Sequence, residues 1–261
     1  MNTDNFAPIA QSGAGSSNGQ PVPASDFSDT VIFKSRVVKP DLAHLEQEKI
    51  LGPMASGSSA SPYKMLRTQV LRRMDQLGTN TLAVLSPHAG AGKTLTAINL
   101  AITIAAETGR TALLVDVDLR NPTVSRRLDF DPSLGVEDCI QAKRPVQDAM
   151  VKLAGYDRLT VLPARNRVAN SSELLTDEVA GRLVHELRTR YANRIIIFDL
   201  PPVLEADDAL AFSKHIDAGL LVVQESKTKR EDVSRTIEVL QDLKIVGTVL
   251  NGTREKVRAY Y

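Results

Sequence analysis

Residues 82–94 read Leu-Ala-Val-Leu-Ser-Pro-His-Ala-Gly-Ala-Gly-Lys-Thr. The apolar start predicts a buried strand, and apolar residues at helical spacing follow residue 94. Gly90 and Gly92 allow backbone conformations that a Cβ would obstruct, so successive N–H groups can turn toward an anion at the start of that helix. Lys93 adds a positive charge, and the Thr94 hydroxyl suits magnesium. The stretch therefore predicts a loop that binds phosphate groups.

The loop departs at one position from the phosphate-binding pattern G-x-x-x-x-G-K-[ST], because Pro87 stands where the first glycine is expected. Taken alone, the motif leaves open a glycine-rich turn that binds no ligand. The apolar strand before it and the helix after it favour phosphate binding. The residues that we predict to contact a ligand in this loop are Ala89, Gly90, Ala91, Gly92, Lys93, Thr94 and Leu95.

After residue 81 the chain alternates short β-branched runs with helical patterns, which is typical of crossover units in a parallel sheet. We therefore predict an α/β fold, a doubly wound and mostly parallel sheet whose ligands bind beyond the carboxyl ends of the strands. The predicted strands are 82–86, 111–116, 159–163, 194–199, 218–223 and 245–250. The predicted helices are 63–77, 94–107, 146–153, 177–190, 207–213 and 229–243.

Composition narrows the class of protein. With 261 residues, of which 43% are hydrophobic, the chain can build one sizeable α/β domain and a tail. Its 32 basic and 31 acidic side chains give a net charge of +1, which predicts no general attraction to nucleic acid or to anionic membranes. Cys139 is the single cysteine, so an internal disulfide is excluded. No apolar run approaches the ~18 residues of a membrane span and no signal peptide is evident, so we expect a cytoplasmic protein.

The chain divides into three regions by composition. Residues 1–29 are rich in Ser, Gly, Ala, Pro and Asn and are predicted to be disordered. We expect the whole of 1–60 to be disordered or weakly structured, with a possible helix at 42–50. Within it, residues 30–60 could dock a partner, and we favour a passive tether. The domain is predicted to span 61–251, followed by a tail at 252–261.

Acidic residues follow two of the predicted strands. Asp116 and Asp118 end one apolar run, and in extended geometry both lie on the same side of the chain. Asp199 ends another, and the following Pro201-Pro202 pair prevents a helix from continuing there. Each acid could instead cap a helix or lie on the surface. Three acids at the edge that also holds the phosphate loop favour a shared ligand site.

Three stretches carry a resemblance to a known family. They are Ser86-Pro87 with Gly90-Ala91-Gly92-Lys93-Thr94, then Val115-Asp116-Val117-Asp118-Leu119-Arg120-Asn121-Pro122, and Ile197-Phe198-Asp199-Leu200-Pro201-Pro202-Val203-Leu204. Together they resemble the bacterial tyrosine kinases of capsule and exopolysaccharide synthesis, over residues 61–251. The resemblance implies a P-loop NTPase fold of the partitioning-ATPase-like group, with ATP and Mg²⁺ as ligands.

The resemblance also implies roles for the site residues. The first loop is Walker A, the segment from Asp116 to Arg120 is Walker A′, and Asp199 is Walker B. Because a tyrosine hydroxyl has a pKa near ~10, a carboxylate must accept its proton, and Asp118 is our candidate base. Asp116 and Asp199 would then complete a magnesium shell with Thr94, while Lys93 and the loop amides offset charge on the phosphoryl group.

The roles of two further residues each have two possible interpretations. Asn251 resembles a strand-end residue near the adenine, and it could equally be a polar turn residue. Arg120 could clamp a phosphate or pair with a neighbouring acid, and we expect the second.

Two features of this chain depart from the family pattern. A Glu-x-x-Arg-x-x-Arg pattern that builds a ring of subunits is represented here by Ser61, Lys64 and Arg67, so a homo-oligomer is expected but its form is open. The tyrosine cluster that accepts phosphate is reduced to Tyr260 and Tyr261. The resemblance further implies a separate transmembrane polysaccharide copolymerase as activator, so that the protein reaches the inner face of the membrane only through that partner.

Two other function classes share the predicted fold. A partitioning-type ATPase switch would need a lysine at the start of the loop, where His88 stands, and this substitution argues against it. A catalytically silent nucleotide-binding regulator of a membrane partner also fits the reduced ring and tail features.

Overall fold

The computed structural model describes residues 36–54, 56–190 and 193–253. In this part of the chain eight strands form one sheet, and helices cover both of its faces. The strands are β1 (Arg36–Val38), β2 (Thr81–Leu85), β3 (Thr111–Asp116), β4 (Val151–Leu153), β5 (Leu159–Leu162), β6 (Arg194–Asp199), β7 (Ala218–Gln224) and β8 (Lys244–Asn251).

Ten helices lie in the same described ranges, several of them a single turn long. They are α1 (Leu42–Gln47), α2 (Ser61–Leu77), α3 (Lys93–Ala105), α4 (Val124–Arg127), α5 (Val136–Gln141), α6 (Val146–Ala149), α7 (Ser171–Thr176), α8 (Glu178–Arg190), α9 (Asp208–Ser213) and α10 (Arg230–Val239).

The strand order is β1-β4-β5-β3-β6-β2-β7-β8. Neighbouring strands are parallel except β4 and β5, which pair in antiparallel orientation. The predicted α/β fold with a mostly parallel, doubly wound sheet is confirmed.

The central strands are buried on both faces, as their continuous apolar runs predict. In β2, the side chains of Leu82 and Val84 enter one hydrophobic core and those of Ala83 and Leu85 enter the other. The first core packs under α1, α2 and α3, and the second under α5, α8 and α9. This double burial makes the sheet a rigid platform for the loops at its edge.

The register brings the strand-end acids to one place. Strand β6 lies between β2 and β3, and Asp199 pairs with Asp116 on one side and with Val84 on the other. Because these strands are parallel, the loop that follows β2 emerges beside both acids. The sheet therefore assembles the predicted site from three separate stretches of sequence.

The structure differs from the predicted elements at residues 146–153. The helix α6 ends at Ala149, and Val151–Leu153 forms the strand β4, with its first and last residues buried. Strand β4 pairs with β1 and β5 on its two sides, and this tertiary pairing outweighs the local helical pattern.

The folded unit begins earlier than the predicted boundary at residue 61. Strand β1 pairs with β4, and α1 begins at Leu42 as the predicted helix does. Leu45, Ile50 and Leu51 are buried in the first core. Residues 36–51 are thus part of the domain and not a weakly structured tether.

Helix α2 bears on the predicted ring of subunits. Arg67 donates to the carbonyl of Thr103 at 3.1 Å and pairs with Glu107 at 3.4 Å, so this arginine is engaged within its own chain.

Within the described ranges, none of the helices has both the length and the apolar character needed to cross a bilayer. The predicted disorder of residues 1–29 and the acceptor tyrosines Tyr260 and Tyr261 lie outside the described residues.

Candidate active site

The loop between β2 and α3 has the backbone that its glycines predict. Gly90 and Gly92 have φ values of 79° and 90°, in the left-handed region that side chains disfavour. Gly92 is the N-cap of α3, and no side chain of the described residues caps this helix end. The first amides of α3 are therefore available to an anion, as phosphate binding at a helix N-terminus requires.

Asn251, at the end of β8, braces this loop. Its side-chain amide donates a hydrogen bond to the carbonyl of Ala91 at 2.8 Å. The amide lies so close to Gly92 that a Cβ there would collide with it. Asn251 therefore holds the shape of the loop, and the adenine contact implied for it stays a prediction.

We expect Gly92→Ala to destabilise the protein more than Gly109→Ala. Gly109 has a φ of 89° and nothing within 4 Å of an added Cβ, so alanine there costs only the backbone strain, about 1–2 kcal/mol. At Gly92 the collision with Asn251 should add about 1–3 kcal/mol. Urea unfolding of both variants measures the difference, and equal losses would show that Asn251 moves aside freely.

Lys93 lies at the centre of the charged cluster. Its Nζ is 3.2 Å from Oδ1 of Asp199, 3.4 Å from Oδ2 of Asp118 and 3.4 Å from the Thr94 hydroxyl. Lys93 is only 7% exposed. Burial acts to lower the pKa of Lys93, but the carboxylates of Asp199 and Asp118 outweigh it and raise the pKa. The lysine is thus charged and held between the two strand-end acids.

Asp116 is fully buried and turned toward the backbone that follows it. One carboxylate oxygen accepts the N–H of Asp118 at 3.2 Å, and the other accepts those of Thr123 and Val124 at 3.2 and 3.1 Å. Burial, followed by the charge of Asp199, raises the pKa of Asp116 well above its ordinary value. Its carboxylate therefore holds the turn after β3 and the start of α4, and the catalytic and magnesium roles predicted for it stay proposals.

Asp118 faces the ligand side. It is 8% exposed, accepts the N–H of Asn121 at 3.1 Å and contacts Lys93. Burial raises the pKa of Asp118, although the charge of Lys93 acts in the opposite direction. A raised pKa makes a carboxylate a stronger base, which is the property that proton abstraction from a hydroxyl needs.

The donor set fits magnesium. Oδ2 of Asp199 is buried and has no hydrogen-bond partner among the described residues, which is unusual for a carboxylate oxygen and leaves it free for a cation or its water. The Thr94 hydroxyl lies in the same cluster. No group of three or more His, Cys, Asp or Glu residues in the described ranges is arranged to hold a metal. Mg²⁺ is usually bound through one or two carboxylates together with substrate phosphates, which agrees with this set.

A cavity of about 490 Å³ opens in front of the cluster. One wall is the phosphate loop, a second is the segment that follows β3, and a third is the loop that follows β6. Its lining residues are Ser86, Ala89, Gly90, Gly92, Lys93, Thr94, Leu95, Asp118, Arg120, Asn121, Thr123, Arg126, Arg127, Pro201, Pro202, Glu205 and Ala206. Of the predicted site residues that the structure describes, four are not among the lining residues: Ala91, Asp116, Asp199 and Asn251.

Sequence reasoning missed Glu205. Its Oε1 accepts the N–H of Ala89 at 2.9 Å and contacts the His88 ring at 3.2 Å. The other ring nitrogen of His88 is 3.5 Å from Asp232. The available signal was an acid six residues after Asp199, in the loop that leaves a ligand-edge strand. The Glu205 carboxylate therefore accepts the hydrogen bond of one backbone N–H in the phosphate loop, that of Ala89.

Arg120 pairs with acids, as expected. Its guanidinium bonds to Asp207 and to Asp208, each at 2.6 Å. The carboxylate of Asp208 is fully buried, whereas that of Asp207 is exposed. Arg120 thus links the segment after β3 to the start of α9, and its positive charge is neutralised by two aspartates of the same chain.

The chain is similar to known proteins over most of its length. The model of the ParA family, described as NUBPL iron-transfer P-loop NTPase, matches residues 78–255. Tyrosine-protein kinase YwqD of Bacillus subtilis is 28% identical over 205 residues, which are 78% of this chain and 85% of that protein. Two further relatives with the name tyrosine-protein kinase are longer, and the chain spans 27% of their length.

Solved structures show the same likeness. The kinase domain of Escherichia coli tyrosine kinase ETK superposes with a TM-score of 0.69 at 25% identity, over 78% of this chain and 80% of that one. Cobyrinic acid a,c-diamide synthase from Mycobacterium smegmatis, with a bound ATP analog and magnesium, gives a TM-score of 0.55 at 25% identity, over 66% and 74% of the two chains. This chain therefore belongs to the ParA family of P-loop NTPases, and within that fold it is similar to the bacterial tyrosine-protein kinases.

Proposed function

We propose that this protein is an ATP-dependent protein tyrosine kinase whose substrates are Tyr260 and Tyr261 in the tail of this same protein. The observation that carries the proposal is the placement of Lys93 between Asp118 and Asp199, beside the phosphate loop and at one cavity. A positive charge for the transferred group, a carboxylate base and a carboxylate for magnesium are the parts that phosphoryl transfer requires.

In this proposal the chain supplies positioning and proton transfer. The amides at the start of α3 and the ammonium group of Lys93 bind the phosphates and offset their charge. Asp118 accepts the hydroxyl proton of the tyrosine, and Asp199 and Thr94 would hold Mg²⁺. Bound magnesium would supply further neutralisation of the charge that develops on the phosphates.

The decisive test is the intact mass of the purified protein after incubation with ATP and magnesium, compared with Lys93→Ala. A mass increase of one or two phosphates in the wild type alone supports the proposal. Treatment with a tyrosine-specific phosphatase should reverse that increase.

A non-kinase ATPase switch is the second candidate, because the ParA family model covers the domain. Release of inorganic phosphate without phosphotyrosine would favour it. The residue at the start of the loop argues against this switch, because such an ATPase needs a lysine there to contact a phosphate. The residue here is His88, which lies between Glu205 and Asp232. A catalytically silent regulator would bind MgATP and give neither product.

The proposed kinase works in extracellular or capsular polysaccharide synthesis or export, beside a transmembrane copolymerase that recruits it to the inner face of the cell membrane. The similarity to proteins named tyrosine-protein kinase supports the kinase activity, and the polysaccharide context is what the resemblance of the three sequence stretches implies. A homo-oligomer, either a ring or a dimer, is part of the proposal, and Arg67 of the degenerate ring pattern pairs with Glu107 of its own chain.

We predict that the tail tyrosines are phosphorylated by a neighbouring subunit. The segment from Asn251 to Tyr260 spans at most ~30 Å when extended, so its own site and an adjacent one are both within reach. A tail that enters an adjacent site can stay extended, whereas a tail that returns to its own site must reverse direction and still present its hydroxyl in line.

The measurement uses a mixture of two variants. One is Lys93→Ala with both tyrosines, and the other is an active chain in which Tyr260 and Tyr261 are both Phe. We expect the inactive chain to gain phosphate in the mixture and none when incubated alone. If mixed assemblies form and the inactive chain still gains no phosphate, transfer occurs within one subunit.

A further inference from the structure

Residues 36–51, which we call the N-terminal clasp, touch the segment that carries the candidate base. This post-β3 segment, residues 117–131, contains Asp118 and α4 and ends in the loop beyond that helix. Arg36 of the clasp donates to the carbonyl of Asp131 at 2.8 Å, and the N–H of Asp41 donates to the Asp129 carboxylate at 2.9 Å. The clasp thus holds the far end of the segment.

Two further contacts reach α4 itself. His44 donates from its Nε2 to the carbonyl of Arg126 at 3.2 Å, and Glu48 pairs with the Arg127 guanidinium at 2.6 Å. Arg126 and Arg127 also line the cavity in front of Lys93. The clasp therefore bonds to residues that form a wall of the candidate active site, without entering the cavity.

The near end of the same segment is held from inside the sheet. The carboxylate of Asp116 accepts the N–H groups of Thr123 and Val124, which begin α4. Helix α4 has only four residues, so it cannot be stable by its own hydrogen bonds. Val124 and Leu128 are buried in the first core, and polar contacts hold the two ends of α4, from Asp116 at one end and from the clasp at the other.

The backbone beyond α4 also needs external support. Asp129 has a φ of 56°, in the left-handed region that is strained for a residue other than glycine and persists only where its surroundings hold it. Its carboxylate accepts the Asp41 N–H of the clasp. The residue with the strained backbone, Asp129, is therefore the one whose side chain the clasp contacts.

The clasp is itself firmly anchored to the helix that follows the phosphate loop. Asn99 of α3, fully buried, accepts the N–H of Leu51 at 2.8 Å and donates to the carbonyl of Lys49 at 3.0 Å. The hydroxyl of Tyr156 donates to the carbonyl of Leu51 at 2.8 Å. The clasp can therefore transmit the rigidity of the core to the post-β3 segment.

We infer that the N-terminal clasp positions the post-β3 segment, and with it Asp118, for phosphoryl transfer, and that Glu48 and His44 are positioning residues. The inference rests on the proposed function for its kinetic consequence. Among the described residues, the hydrogen bonds and ion pairs of the clasp reach the post-β3 segment and not the phosphate loop, so we expect the clasp to affect phosphoryl transfer more than nucleotide binding.

The experiment compares Glu48→Gln combined with His44→Ala against Glu46→Gln, an exposed glutamate on the same helix. Hydrogen exchange of peptides covering residues 119–131 is measured first, because it does not depend on kinase activity. We expect exchange in this segment to rise about fivefold or more in the double variant and to stay unchanged in Glu46→Gln. The single variant Glu48→Gln, at a half-exposed side chain, should show a smaller increase without any loss of folding.

Kinetics give the second readout. The double variant should lose about fivefold or more in kcat, while the MgATP Kd stays within about twofold, and Glu48→Asp should restore part of the rate. Exchange equal to that of Glu46→Gln overturns the inference, and so does raised exchange with an unchanged kcat. If the wild type transfers no phosphate at all, the proposed function fails, and the exchange result alone decides whether the clasp holds the segment.

Discussion

Asp118→Asn should keep MgATP binding and lose about 10²–10⁴-fold in phosphotyrosine formation, the usual contribution of a positioned base. Asparagine retains an oxygen that can accept the Asn121 N–H, so the turn after β3 should keep its shape. What it loses is the ability to accept a proton at neutral pH. Because burial raises the pKa of Asp118, the wild-type carboxylate is better matched to this task than an exposed aspartate.

The measurement pairs single-turnover phosphotransfer with calorimetric MgATP binding. Asp157→Asn, at an exposed aspartate away from the cavity, is the control and should behave as wild type. Near-normal phosphotyrosine formation in Asp118→Asn would remove Asp118 from the role of base. A loss of MgATP affinity that equals the loss of rate would instead assign it to nucleotide or magnesium binding.

Lys93→Ala should weaken MgATP binding by about a hundredfold or more and abolish phosphotransfer. The ammonium group lies within 3.4 Å of two carboxylates and is almost fully buried, so its removal leaves buried negative charge facing the phosphates of the nucleotide. Truncating one member of a buried charge pair typically costs 2–5 kcal/mol, roughly 30- to several-thousand-fold in affinity.

The same substitution should destabilise the protein without nucleotide, by about 3–5 kcal/mol at neutral pH. The pKa of Lys93 is raised in the folded state, so its contribution is fully present below its ordinary value of 10.5. The charge of Lys93 acts to lower the pKa of Asp116 and of Asp118, so without Lys93 these pKa values rise still further above 3.8. Lowering the pH then stabilises the folded variant more than the wild type, because the two carboxylates of the variant take up protons more readily. The deficit should therefore shrink in mild acid.

Calorimetry and urea unfolding at pH 7 and pH 5 check both effects. Lys152→Ala, at an exposed lysine of β4 away from the cavity, is the matched control. MgATP affinity equal to that of the control would show that Lys93 is a structural counter-ion only. A stability deficit that grows in acid would show that the aspartates of the variant do not take up protons there.

The sequence by itself determined the ligand edge of the fold. Two glycines before Lys93 predict a phosphate loop because few other residues adopt the backbone that the loop needs, and both have positive φ in the structure. Apolar β-branched runs that end in Asp116 and Asp199 predict parallel strands whose acids meet at one edge, and the register places these two side by side. These features are local in sequence, so composition and spacing suffice to predict them.

Only the tertiary structure decided that Asp116 and Asp118 have different surroundings and different contacts. In extended geometry Asp116 and Asp118 would share one side, but β3 ends at Asp116 and the chain then turns. Asp116 holds the backbone of α4, while Asp118 faces the cavity. The Glu205 contact with Ala89 and the Glu48 contact with Arg127 join residues 116 and 79 positions apart. No local pattern specifies such pairs, because they form only when the packing of the whole sheet has brought distant loops together.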